Sequence, residues 1–224
     1  VGSEMCIRDS YHTYGFDWQP DYIAWYVDGT EVYRATSNIP TTPGKIMMNT
    51  WPGTGVDAWL KPYDGTTPLT ARYQWVTHNK SQTSSGSETD IKDYGTPMNA
   101  SATTVADFRN GETPLFFASD GWTNGSCFDC GWYKENAVIK DGALHLSIDA
   151  DATGKYSYSG GEYRTTDFYH YGYYETSMQA IQNDGVVSSF FTYTGPSDNN
   201  PWDEIDIEIL GKDTTKAQFN YCLL

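Results

Sequence analysis

The segment WDEIDIEIL at residues 202–210 decides the fold class of this chain. Acidic residues at Glu204, Asp206 and Glu208 alternate with isoleucines. Successive side chains of a β-strand point to opposite faces, so one face carries the carboxyl groups and the other carries the isoleucines. The apolar face belongs in a protein core, which sets the register and places the acids together on one surface.

Short segments of the same character fill most of the remaining chain. They alternate aromatic or β-branched residues with polar ones, and Gly and Pro punctuate them. Examples are HTYGFDW (12–18), YIAWYVDG (22–29), KIMMNTW (45–51), ARYQWVTH (71–78), GYYETSMQA (172–180) and VVSSFFTYT (186–194). Asp28-Gly29 predicts a tight hairpin turn. The pattern predicts an all-β fold, a β-sandwich or jelly roll with a concave cleft sheet.

Composition excludes several classes of protein. The 224 residues include 18 Tyr, 9 Phe and 8 Trp, which argues against disorder over the whole chain. A net charge of −15 repels phosphates and anionic lipids, so we expect neither a nucleic-acid nor a membrane partner. No apolar run is long enough for a transmembrane helix, and residues 1–10 do not resemble a signal peptide.

The cysteines give little indication of chemistry. Cys127 and Cys130 form a C-x-x-C pair, but no second pair follows and the 4 histidines are scattered. The sequence therefore predicts no metal site of the zinc type and favours free thiols. Residues 81–104 are rich in Ser, Thr and Gly and lack periodicity, which is typical of a linker.

The three acids on one strand face indicate catalysis. Residues four apart on a strand are about 13 Å apart at the backbone, but a concave sheet brings long side chains together. Two Glu carboxyl groups could then approach the roughly 5–5.5 Å separation of retaining glycosidases. Like charges raise the pKa of at least one of them, as a general acid requires. The alternative, solvated acids on an edge strand, would normally include interspersed Lys or Thr.

The candidate binding residues suit a sugar ligand. Aromatic rings stack on pyranose faces, and amide and charged side chains bond to hydroxyl groups. The aromatic candidates are Trp51, Trp59, Trp122, Trp202, Phe191 and Tyr193, and the polar candidates are Asn49, Asn124, Asn220, Glu162 and Arg164.

Together these segments resemble glycoside hydrolase family 16, and within it the lichenases, which are retaining endo-β-1,3-1,4-glucanases with a jelly-roll fold. The segments that carry the resemblance are WDEIDIEILG, GGEYRT, HTYGFDWQPDYIAWYVDG and KIMMNTW. The resemblance implies that Glu204 is the nucleophile, Glu208 the acid/base and Asp206 a residue that tunes the pair. It also implies cleft positions for Trp202, Glu162, Arg164, Asn124, Asn220, Asn49, Trp51 and Trp59.

The order of the segments departs from the family. Residues 11–80 resemble the usual C-terminal half and residues 105–224 the usual N-terminal half, with 81–104 as the linker. We expect a circular permutation that forms one folded domain, which is feasible where the family termini lie close together. We expect residues 1–10 and the tail 222–224 to lie outside the family domain.

Single positions depart as well. Cys222 stands where lichenases have a cleft Tyr. Cys130 matches one half of a family disulfide whose other position is Gly160 here, so that bridge is expected to be missing. Gln74 replaces an Asp of the family's calcium site, so a structural calcium is only weakly supported and no cofactor is expected to be required.

The resemblance implies a secreted monomer that hydrolyses β-1,4 bonds in mixed-linkage β-1,3-1,4-glucans by double displacement. One alternative is a β-1,3-glucanase of the laminarinase type. The regular E-x-D-x-E spacing, without an extra residue, favours the mixed-linkage enzyme. The other alternative is a non-catalytic carbohydrate-binding jelly roll, which would have no need of Glu204 and Glu208 on one face.

Overall fold

The computed structural model describes residues 10–80 and 104–223. Most of the predicted linker (81–104) and of the predicted tail (1–10) lies outside these residues. The first segment contains β1 (His12–Trp18), β2 (Ile23–Val27), β3 (Thr30–Ala35), β4 (Lys45–Pro52), α1 (Asp57–Leu60) and β5 (Leu69–Asn79). The second contains β6 (Thr104–Asp107), β7 (Phe116–Ala118), β8 (Cys130–Trp132), β9 (Ala137–Lys140), β10 (Ala143–Ala150), β11 (Tyr158–Thr165), β12 (Gly172–Gln179), β13 (Val186–Thr194), β14 (Asp203–Leu210) and β15 (Gln218–Leu223).

The strands form two layers that are continuous at one edge. One layer runs β15-β14-β13-β4-β11, and the other runs β10-β5-β12-β1-β2-β3. They join where β10 pairs with β11, at Asp149 opposite Ser159 and Ala150 opposite Tyr158. The predicted all-β sandwich is therefore confirmed. No helix within residues 10–80 and 104–223 is long and apolar enough to cross a membrane.

Strands from the two segments of the chain are interleaved in both layers. In the first layer, β4 lies between β13 and β11, both from the second segment. In the second layer, β5 lies between β10 and β12, and β1 pairs with β12. Both layers therefore contain strands from both segments.

The core lies between the layers and takes the apolar face of β14. Ile205, Ile207 and Ile209 are fully buried there, as the alternation in the sequence predicts. The predicted hairpin at Asp28-Gly29 is also confirmed. It joins β2 to β3, and both residues have positive φ (48° and 74°), as a type I′ turn requires.

Candidate active site

One row of polar side chains crosses the first layer from β11 to β15. Residues paired directly across neighbouring strands share one face of the sheet. Strand pairing places Glu162 opposite Asn49, Asn49 opposite Ser189, Ser189 opposite Glu208, and Glu208 opposite Gln218. The outer face of the sheet therefore carries a continuous polar band that ends at the carboxylate strand.

This face forms the floor of a cleft of about 510 Å³. The lining includes all three acids of β14 and most of the predicted sugar-binding residues. These are Asn49, Trp51, Trp122, Asn124, Arg164, Phe191, Tyr193, Trp202, Glu204, Asp206 and Glu208. The alternation that buries the isoleucines of β14 thus directs its acids into the cleft.

Glu204 and Asp206 shift each other's pKa. Burial raises the pKa of Glu204, and hydrogen bonds from Trp202 and Asp206 oppose the rise. Burial, followed by the charges of Glu204 and Glu208, raises the pKa of Asp206 well above its usual range. The hydrogen bond between the two carboxyl groups thus favours the protonated form of Asp206 and the ionised form of Glu204.

Trp202 supplies the other hydrogen bond to Glu204. Its Nε1–H donates to Oε2 of the carboxylate at 2.8 Å. The ring is 40% exposed and meets Tyr193 edge-on, with ring centroids 6.0 Å apart. Trp202 is therefore both an open apolar surface beside the cleft and a donor that favours the ionised form of Glu204.

The pKa of Glu208 is raised to near neutral pH. Burial and the charge of Glu204 raise its pKa to about 7, while a hydrogen bond from Gln218 opposes the rise. A carboxyl group with this pKa can give up and take back a proton near neutral pH. Together, β14 presents Glu204, whose ionised form two hydrogen bonds favour, and Glu208, which can exchange protons near neutral pH.

Glu162 lies beneath the cleft and is fully buried. Its carboxylate accepts hydrogen bonds from Ser119 Oγ (2.6 Å), Asn124 Nδ2 (3.1 Å) and Asn49 Nδ2 (3.3 Å). Three donors satisfy the buried carboxyl oxygens, and the same contacts orient the two asparagines that line the cleft. The structure thus places Glu162 in support of the cleft wall.

Other predicted residues occupy distinct positions. Trp51 lines the cleft but is only 4% exposed, packed against Phe128 with ring centroids 4.1 Å apart. The Arg164 guanidinium lies 4.8 Å from the centroid of the Trp122 ring, a cation–π contact. Asn220 is exposed on β15 opposite Asp206, and neither it nor Trp59 lines the cleft.

Sequence reasoning missed several residues of the site. Those that line the cleft are Met47, Thr123, Phe128, Ser189 and Ser197. Gln218 was also missed, although its Nε2–H donates to Glu208 Oε2 at 2.7 Å. Ser189 lies in a predicted strand segment and Gln218 begins β15, but their position opposite Glu208 depends on pairing between strands, which no local pattern reveals.

The cysteines and Gln74 are placed as follows. Cys127, Cys130 and Cys222 are free thiols. Gln74 Oε1 accepts a hydrogen bond from Ser177 Oγ at 2.9 Å. Within residues 10–80 and 104–223, no group of three or more His, Cys, Asp or Glu side chains is arranged to hold a metal ion.

The chain resembles several known glucanases. It is 70% identical to a xylanase/beta-glucanase of Ruminococcus flavefaciens over 136 residues, 58% of this chain and 17% of that protein. It is 56% identical to a beta-glucanase of Acetivibrio thermocellus over 117 residues, 52% of this chain and 35% of that protein. The match therefore spans only a minor part of each of these relatives.

A solved structure agrees with these relatives. The crystal structure of a native glycosidic hydrolase matches with a TM-score of 0.50 and 55% identity, covering 52% of this chain and 53% of that one. The sequence profile of glycosyl hydrolases family 16 matches residues 4–77 and 124–223, well over half of the chain. The chain belongs to glycosyl hydrolases family 16.

Proposed function

We propose that this protein is a retaining endo-hydrolase of β-1,4 bonds in mixed-linkage β-1,3-1,4-glucans. The observation that carries the proposal is the set of three acids on β14 that line the cleft together. Burial raises the pKa of all three, that of Glu208 to about 7. Burying three adjacent acids is costly, and a binding module would gain nothing from it.

The mechanism assigns one role to each acid. A carboxylate oxygen of Glu204 attacks the anomeric carbon while Glu208 donates its proton to the departing glycosidic oxygen, which breaks the bond between sugars. Glu208, now ionised, takes a proton from water, and the water oxygen displaces Glu204 from the anomeric carbon. Two inversions give net retention. Asp206 keeps Glu204 ionised and oriented before it attacks and again after water has displaced it.

The cleft and the relatives support a neutral β-glucan as substrate. Trp202 and Trp122, which has the Arg164 guanidinium over its ring, offer aromatic faces for stacking on sugars. The amides of Asn49 and Asn124, oriented by Glu162, offer hydrogen bonds to sugar hydroxyls. The net charge of −15 disfavours anionic polysaccharides. One relative is named a xylanase/beta-glucanase and another a beta-glucanase. The regular spacing of Glu204, Asp206 and Glu208 favours mixed-linkage glucan over laminarin.

We also propose that the halves of the family domain are exchanged in order. The family profile matches in two separate segments, and each of the two relatives above aligns with only about half of this chain. The interleaving of β4 and β5 among strands of the second segment supports one domain built from both halves.

Product analysis tests the activity. We expect reducing sugar to be released from barley β-glucan and lichenan and far less from laminarin, with the new reducing ends appearing first as the β-anomer by ¹H NMR. Preferential cleavage of laminarin would instead support the β-1,3-glucanase. Binding to all three glucans without release would support the carbohydrate-binding module, and the α-anomer appearing first would overturn the assigned roles.

A further inference from the structure

The contacts of Gln218 link the cleft carboxyl Glu208 to a tryptophan outside the cleft lining. Gln218 begins β15 and lies directly opposite Glu208. Its Nε2 donates to Glu208 Oε2 at 2.7 Å, and its Oε1 accepts from Trp59 Nε1 at 3.0 Å. Trp59 belongs to α1, and Lys212 Nζ donates to its backbone carbonyl.

The indole determines which way the Gln218 amide points. An indole nitrogen can only donate a hydrogen bond, so the amide atom that faces it must be the oxygen. The amide NH₂ group then has to face Glu208. Without the indole, the amide could rotate by 180° and present its oxygen to the carboxyl instead.

We propose that Gln218 is a positioning residue for the acid/base carboxyl of Glu208, and that Trp59 acts through Gln218 by fixing the direction of its amide. The inference rests on the proposed function for its catalytic meaning. Because Oε2 of Glu208 accepts from the amide, the transferable proton belongs on Oε1. A reversed amide would present its oxygen to Glu208 and accept a hydrogen bond from the protonated carboxyl group. The proton would then be held away from the glycosidic oxygen.

The same geometry sets the direction of a pH effect. The N–H donor favours the ionised carboxylate, so it lowers the pKa of Glu208 against the effects of burial and of Glu204. The titratable groups on Glu208's own strand are Glu204 and Asp206. Those on neighbouring strands are Cys222 on β15, Tyr193 on β13 and Arg164 on β11. Lys212 contacts the backbone carbonyl of Trp59. Removing the amide leaves all of them in place.

Three variants test the proposal. Gln218→Met keeps the length of the side chain but cannot form its hydrogen bonds, and Trp59→Phe keeps an aromatic ring but lacks the N–H donor. The third variant combines both substitutions. The pKa of Glu208 is measured by ¹³C NMR of protein labelled at the Glu carboxyl carbon, with Glu208→Gln to assign the signal. We expect a rise of about one pH unit in Q218M and about half a unit in W59F. The double variant should match Q218M if Trp59 acts on Glu208 through Gln218, as proposed.

Activity adds a second measurement. The alkaline limb of kcat/KM should move upward with the pKa of Glu208, and kcat of Q218M on lichenan should fall about tenfold. Gln179→Met, on β12 of the other layer, is the matched control and should leave the Glu208 pKa unchanged.

The outcomes separate this inference from the proposed function. An unchanged Glu208 pKa in Q218M, or additive effects of the two substitutions, would overturn the positioning role even in an active enzyme. If Q218M does not fold, W59F decides the question. A Glu208 pKa in W59F equal to that of wild type would overturn the positioning role. A wild-type protein that hydrolyses no glucan would refute the function, whereas the NMR titration would still test the contacts.

Discussion

Trp25 donates a hydrogen bond from its indole Nε1 to the backbone carbonyl of Asp206, at 3.1 Å across the core. Trp25 is fully buried on β2, in the layer opposite the cleft, whereas Asp206 is in the middle of the carboxylate strand. The two residues are 181 positions apart in the chain. The second layer thus supports the backbone of β14 directly beneath its acids.

We expect Trp25→Phe to lower both stability and turnover. The substitution removes the donor and part of the buried ring, at a cost of about 2–3 kcal/mol in the free energy of unfolding. Because the strand beneath Asp206 loses its support, kcat should fall as well. Urea denaturation and kinetics on lichenan measure the two effects. Trp18→Phe is the matched control, since Trp18 Nε1 donates to the Pro40 carbonyl at 2.9 Å. Equal losses of kcat in both variants would contradict the specific role of Trp25.

Glu208→Gln should stabilise the protein increasingly as the pH rises. The pKa of Glu208 is raised from its ordinary 4.5 to about 7 in the folded protein. The raised pKa of Glu208 stabilises the folded protein. This stabilisation is fully present below pH 4.5 and is lost as the pH rises through about 7. Wild type should therefore lose about 2–3 kcal/mol relative to E208Q between about pH 5 and pH 8.

Denaturant unfolding at both pH values measures this difference. The exposed Glu135, next to Lys134, provides the control, because Glu135→Gln should differ from wild type by the same amount at both pH values. A pH-independent difference for E208Q would show that Glu208 ionises normally in the folded protein.

Trp202→Phe should move the acid limb of the pH–activity profile. The ring remains for sugar contact, but the hydrogen bond to Glu204 is lost, so the pKa of Glu204 rises further. The nucleophile must be ionised, and the acid limb of kcat/KM should therefore shift to higher pH. Trp122→Phe changes a cleft ring away from Glu204 and should weaken binding without this shift. An unmoved acid limb in W202F would reduce Trp202 to a stacking surface.

Gly160→Cys should form a disulfide with Cys130. A Cβ added to Gly160 would lie 2.8 Å from the Cys130 Sγ, near the distance between a Cβ and the partner sulfur of a bridge. Closing this loop is worth about 3–4 kcal/mol in the chain-entropy model. The oxidised variant should gain thermal stability that dithiothreitol removes, and mass spectrometry should find the linked peptides. Gly160→Ala should be destabilised in either condition, because its methyl group crowds the Cys130 sulfur and the Thr50 carbonyl. Free thiols at both positions after oxidation would refute the bridge.

Local alternation in the sequence was enough to predict strand β14, its buried isoleucines and its acids on the opposite, cleft-facing side. A period of two follows from strand geometry alone, so Ile207 and Asp206 must occupy opposite faces wherever the strand lies. The hairpin at Asp28-Gly29 was predictable for a similar reason, since positive φ at both turn positions is set by the dipeptide itself.

The tertiary structure decided which side chains meet those acids. Pairing between strands far apart in the chain brings Gln218 and Ser189 opposite Glu208, and packing of α1 brings the Trp59 indole to Gln218. Register and packing arise from the whole sandwich, so the same local patterns are compatible with many pairings. The burial of individual side chains also depends on the packed sandwich. Glu162 could be predicted as a polar residue near sugar, but only the packed sheet makes it a buried carboxylate that orients Asn49 and Asn124.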